Sequence, residues 1–120
     1  KKGLSKMEEQ GIEPDDIMFM SIISVCTHAG LVKDGCIYFE YMVNFYGLLP
    51  TVEHYNSMVD LLARAGCLEE AESMLLTMPI LPDIVTWTSL LASCNAFKNM
   101  FVGNRCLLHI PESLTKGAST

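Results

Sequence analysis

The sequence is short of positive charge. Its 120 residues hold eight lysines and arginines against fourteen aspartates and glutamates, a formal net charge of −6. The basic residues are scattered, so strong phosphate-driven binding, which needs Lys and Arg gathered on one surface, is not expected of this segment. Long apolar runs are missing as well. None approaches the ~18 residues of a membrane-spanning helix, and the longest are broken by polar residues or by Pro79 and Pro82. The expectation is a soluble chain that contacts no membrane. The five cysteines, Cys26, Cys36, Cys67, Cys94 and Cys106, are odd in number and form no Cys-x-x-Cys. That argues against a disulfide framework or a zinc site and for small buried residues in a reducing compartment. No His-x-Glu precedes a Cys-x-x-Cys, as zinc deaminase chemistry would need. A Gly-rich phosphate loop, a nucleophile elbow and paired carboxylates in apolar surroundings are also lacking. The reading is therefore of a non-enzyme without cofactor, metal or small-molecule substrate. His28, His54 and His109 lie far apart and read as structural or solvent-facing. The chain opens on Lys1-Lys2-Gly3, with neither an initiator Met nor a signal or transit pattern. This suggests that upstream sequence, and any targeting information in it, is missing.

What is present is an internal repeat. Half the residues are hydrophobic, enough for one continuous core. Taking Pro14, Pro50 and Pro82 as origins, an aromatic follows five residues on: Phe19, Tyr55, Trp87. Apolar pairs follow at eight and nine: Ile22-Ile23, Met58-Val59, Leu90-Leu91. Cys26, Leu62 and Cys94 come at twelve, and the small residues Gly35, Ala71 and Gly103 at twenty-one. A period near 35 residues marks a solenoid of stacked supersecondary units. Each unit reads as two helices. Asp15, Thr51 and Asp83 follow the prolines as N-caps, and a first helix of about 12 residues ends at Ala29-Gly30 and Ala65-Gly66, where Gly suits a left-handed C-cap. A second helix starts near Leu31 or Leu68 and reaches Met42 or Met78. The small residues allow close approach within each pair. Glu69, Glu70 and Glu72 are explained by the positive end of the helix dipole. The fold class is all-α, an α–α superhelix (a right-handed helical-repeat solenoid) of about seven helices with an extended concave face.

Period alone leaves tetratricopeptide and pentatricopeptide repeats open. The Trp and Leu-Gly that the former wants early in its first helix are not found. Gly11-Ile12-Glu13-Pro14-Asp15, Cys26-Thr27-His28-Ala29-Gly30-Leu31-Val32, Val52-Glu53-His54-Tyr55, and Met58-Val59-Asp60-Leu61-Leu62 with Arg64-Ala65-Gly66 resemble junctions, turns and helices of plant pentatricopeptide repeats. The resemblance divides the chain into the end of a truncated repeat (1–13), a long-type repeat (14–49) and a short-type repeat (50–81). A degenerate E-type repeat (82–110) and a disordered tail (111–120) follow. Lys98 departs from the pattern, standing where the third turn wants Gly. The second half of the E-type extension and the deaminase-like domain of some members are not in the sequence.

The resemblance implies sequence-specific binding of single-stranded organellar RNA, in RNA processing or C-to-U editing. It points to the mitochondrion or the chloroplast, with editing-complex proteins as further partners. The alternative is a helical-repeat protein-interaction scaffold that recruits such partners. In the family the fifth residue of a first helix and the last residue of the repeat read one base. These are Met20 with Thr51, and Asn56 with Asp83. An Asn amide can donate and accept, and Asp can accept, so Asn56–Asp83 resembles a uracil-preferring pair, whereas Met20 offers no polar edge. Ile17 and Val85 stand at the base-sandwiching position. An RNA reader should bring Asn56 and Asp83 together on the concave face; a peptide binder should show an apolar groove there.

Overall fold

A computed structural model describes Gly11 and residues 13–111. Among them are six α-helices, one π-helical turn and no strand. They form three pairs: α1 (Asp16–Ala29) with α2 (Val32–Glu40), α3 (Val52–Arg64) with α4 (Leu68–Thr77), and α5 (Ile84–Ala96) with α6 (Met100–Leu107). The truncated repeat and the disordered tail expected at the two ends fall, but for Gly11, Glu13 and Pro111, outside the described residues.

Helix starts follow the prolines through local hydrogen bonds. The Asp15 carboxylate accepts from Met18 N–H at 2.8 Å, and the Asp83 carboxylate from Thr86 N–H at 3.0 Å. Thr51 is handled differently. Its backbone N–H donates to His54 Nδ1 at 2.9 Å, and its hydroxyl lies 2.8 Å from the same nitrogen. His54 Nε2 then faces the Asp16 carbonyl at 2.9 Å. A carbonyl can only accept, so the proton sits on Nε2. His54 thus caps its own helix and ties it to the start of α1, and it is buried.

The first helices close alike. Leu31, Cys67 and Asn99 N–H return to the carbonyls of Cys26, Leu62 and Cys94 at 2.9, 2.8 and 2.8 Å. The residue before each is left-handed: Gly30 at φ 71°, Gly66 at φ 86° and Lys98 at φ 59°. The third unit therefore makes the same turn as the others without the glycine that makes it easy. Asn99, whose side chain accepts from Val102 N–H at 3.1 Å, caps α6.

The small residues Gly35, Ala71 and Gly103 are all buried. Met42 and Met78 are buried, and Ile110, the same twenty-eight residues after its proline, completes the set. The first unit has four more residues than the second before the next proline. They fall beyond Met42, where α2 widens into a π-helical turn over Tyr41–Phe45 with Tyr46 N–H bonded to the Tyr41 carbonyl at 3.0 Å. Inserting residues into a helix this way keeps Met42 on the buried side.

Two expectations need correction. Cys26, Cys94 and Cys106 are buried, but Cys36 and Cys67 are only half-buried at the edge of the core, as Tyr55 is beside Leu62. Glu72 is not explained by the helix dipole. It is 6 % exposed and takes Arg105 of α6 in a two-pronged pair, Nε at 2.7 Å and Nη2 at 2.8 Å. A carboxylate this buried requires such a partner.

Candidate functional site

The first helices α1, α3 and α5 pack directly on one another, whereas α2 and α4 scarcely meet. The row whose members lie closer together is the inner side of the curve, so grooves between first helices open on the concave face. Two recur. One, of about 270 Å³, is lined by Ile17 and Met20 of α1 and by Thr51, Glu53 and His54 at the start of α3. The next, of about 350 Å³, is lined by Asn56, Ser57, Asp60 and Arg64 of α3 and by Asp83, Val85, Thr86 and Ser89 around α5. Met20 and Thr51 thus share one groove, and Asn56 and Asp83 the other.

The second groove mixes these polar side chains with Val59, Ala63 and Leu90, whereas a larger hollow of about 810 Å³ between α1 and Glu53 of α3, lined by Met20, Val25 and Ala29 beside Ser21, Ser24 and His28, is the more apolar. Asp60 and Arg64 pair at the edge of the second groove at 3.0 Å. At its centre the Thr86 hydroxyl lies 2.7 Å from the Asp83 carboxylate and 2.9 Å from Asn56 Oδ1, bridging two residues from different helical pairs. The Thr86 hydroxyl, then its backbone N–H, hold the Asp83 carboxyl below its ordinary value of 3.8, so it is an anion at neutral pH. Thr86 was not singled out from sequence; its signal was only its place three residues after an Asp cap.

Ile17 and Val85 stand out from the surface at 72 % and 66 % exposure. Both flank a groove. The corresponding position of the middle unit holds Glu53, also exposed, so the apolar series is interrupted by a carboxylate. His28 bonds through Nδ1 to the Ser24 carbonyl at 2.8 Å within α1. His109 stacks on Trp87 with ring centroids 4.0 Å apart and planes within 5°. Burial pushes the Cys106 thiol up to about 12 and also raises Cys26, Cys36 and Cys94, which makes them poor nucleophiles. Among the described residues no group of three or more His, Cys, Asp or Glu is arranged to hold a metal, and no helix is long and apolar enough to cross a membrane.

Stacked helix pairs with grooves between successive first helices define a helical-repeat protein. The sequence profile of the pentatricopeptide repeat domain matches residues 3–65, and that of the PPR repeat matches residues 53–79. Pentatricopeptide repeat-containing protein At5g48910 of Arabidopsis thaliana is 46 % identical over 100 residues, covering 83 % of this chain and 16 % of its own length. At2g22070, a protein of the same description and organism, is 46 % identical over 108 residues, 87 % of this chain and 14 % of its own. The crystal structure of the pentatricopeptide repeat protein PPR10 from maize superposes with a TM-score of 0.72 at 29 % identity, covering 95 % of this chain and 16 % of that one. The chain belongs to the plant pentatricopeptide repeat family, and it spans about a sixth of the length of these relatives.

Proposed function

We propose that this chain is part of a sequence-selective reader of single-stranded RNA, in which Asn56 and Asp83 together select one uracil. The observation that carries the reading is their convergence in one groove between α3 and α5. Repeat proteins that read RNA offer two or three side chains to each unstacked base, and here an amide and a carboxylate stand side by side. Exposed Val85 gives one apolar face for a stacked base, and Ile17 serves the neighbouring groove. There Met20 and Thr51 offer little to a base edge, so that repeat tolerates several bases. The process served is organellar RNA processing or C-to-U editing, in the mitochondrion or chloroplast. The chain acts by binding, not by catalysis, and its last helical pair begins an E-type extension. A second reading, a docking surface for editing-complex proteins, is favoured at that end by exposed Met100, Phe101 and Leu108.

The test is binding by the full-length protein at fixed salt, with the four bases varied at one site of its RNA. Asn56→Ala should remove the preference for uracil at that site alone. A variant that kept the parent's preference would leave Asp83 as nothing more than a helix cap.

A further inference from the structure

We infer that Thr86 is a positioning residue that fixes which way round the Asn56 amide faces the groove, and so lets this pair tell uracil from cytosine. The inference rests on the base-reading role proposed above. It starts from a proton count. The Thr86 hydroxyl has one hydrogen but lies within bonding distance of two oxygens, Asp83 Oδ1 at 2.7 Å and Asn56 Oδ1 at 2.9 Å. It cannot donate fully to both. The carboxylate is the stronger acceptor and the nearer one, and a bond to an ionised group is about twice as strong as a neutral one. The hydroxyl proton therefore belongs to Asp83.

That leaves only lone pairs on the Thr86 oxygen to face Asn56. The oxygen and nitrogen of an Asn amide are assigned from their hydrogen bonds. With Oδ1 inward, two oxygens would meet without a proton between them. With Nδ2 inward, the amide donates to Thr86, Thr86 donates to Asp83, and every group is satisfied. Thr86 is 6 % exposed, so water does not compete freely for its oxygen.

The direction of this relay sets what the base meets. Uracil presents an N3–H donor beside its O4 acceptor. Cytosine presents an N3 acceptor beside its N4–H donors, the reverse order. An Asn free to turn over fits both equally well, by exchanging its oxygen and nitrogen. An Asn held by Thr86 presents one order only, matching one pyrimidine and opposing the other.

The experiment uses the full-length protein and single-stranded RNA selected by it from a random pool, with uracil or cytosine at the nucleotide that responds to Asn56→Ala. Thr86→Val replaces the hydroxyl by a methyl of similar size. It should lower the uracil-over-cytosine ratio about fivefold or more by strengthening cytosine binding relative to uracil, while affinity for RNA varied elsewhere is unchanged. Thr86→Ser, which restores the hydroxyl, should restore the ratio. Thr86→Ala serves should the valine variant lose its helical circular dichroism. A ratio unchanged in both Thr86→Val and Thr86→Ala, with Asn56→Ala still effective, overturns the role of Thr86 and leaves the base-reading role standing. No preference at any nucleotide in the parent protein overturns both.

Discussion

At the scale of single residues, two positions carry opposite lessons about helix ends. Lys98 occupies the left-handed region at φ 59° to make a turn that Gly30 and Gly66 make in the other units. A side chain there costs roughly 1–2 kcal/mol, part of which Gly returns through its freer unfolded chain. Lys98→Gly should therefore stabilise the protein by about 0.5–1 kcal/mol, seen as a higher Tm; an unchanged or lower Tm would mean the turn is not strained. Asp83 shows the gain from a good cap. Its folded pKa lies below the ordinary 3.8, chiefly through the Thr86 hydroxyl. A depressed carboxylate stabilises the fold fully above the unfolded value and loses that contribution as pH falls through the folded one. The cap should thus hold at neutral pH and weaken only below about pH 3.8. In Thr86→Val, NMR titration of the Asp83 carboxyl should move upward towards 3.8; an unmoved midpoint would show the hydroxyl bond to be unimportant.

At the scale of helices, one small residue in each pair sits where helices pack, and it has a different tolerance in each. Ala71 of α4 is fully buried in the core cluster that also holds Val59 and Leu62 of α3. Ala71→Leu should overpack that cluster and cost about 1–3 kcal/mol in denaturant unfolding. Gly103 has room: an added Cβ would meet Cys94 Cβ at 3.4 Å, an ordinary contact. Gly103→Ala should gain up to about 1 kcal/mol from helix propensity. At Gly35 the added carbon would meet Cys26 Cβ of α1 at the same 3.4 Å but would also run into the Leu61 side chain of α3, in the next pair, so Gly35→Ala should be the less stable of the two alanine variants. The reverse order would mean that the Leu61 side chain yields to the added carbon at little cost.

At the scale of the whole molecule, charge and number of grooves limit what this segment does alone. A net charge of −6 leaves few phosphate contacts, and the candidate base-reading pairs occupy just two grooves between first helices. The isolated 120-residue chain should bind single-stranded RNA weakly. For single strands the salt dependence is about −0.7 per phosphate neutralised, so the slope of log K against log salt should be shallower than about −2. A slope steeper than about −4 would reveal a basic surface that the composition hides. The relatives are several times longer, and repetition of such grooves along a longer solenoid is how modest contacts become selective binding.

The sequence by itself determined the helical pairs, because what starts and stops a helix acts within a few residues. Proline followed by Asp or Thr opens each first helix, a left-handed residue sixteen places on closes it, and a small residue marks where the pair touches. The same locality made Asn56 and Asp83 visible as candidates, though only through the family resemblance. What the tertiary structure alone decided joins residues some thirty apart. Thr86 reaches Asn56, Arg105 reaches Glu72, and His54 reaches the start of α1. None has a local signature, since a Thr in a first turn or a Glu in a helix serves equally well in solvent. Their roles depend on how one helical pair settles on the next, a geometry set by burying the apolar faces of both, and only that settling turns a capping Asp and an ordinary Asn into neighbours.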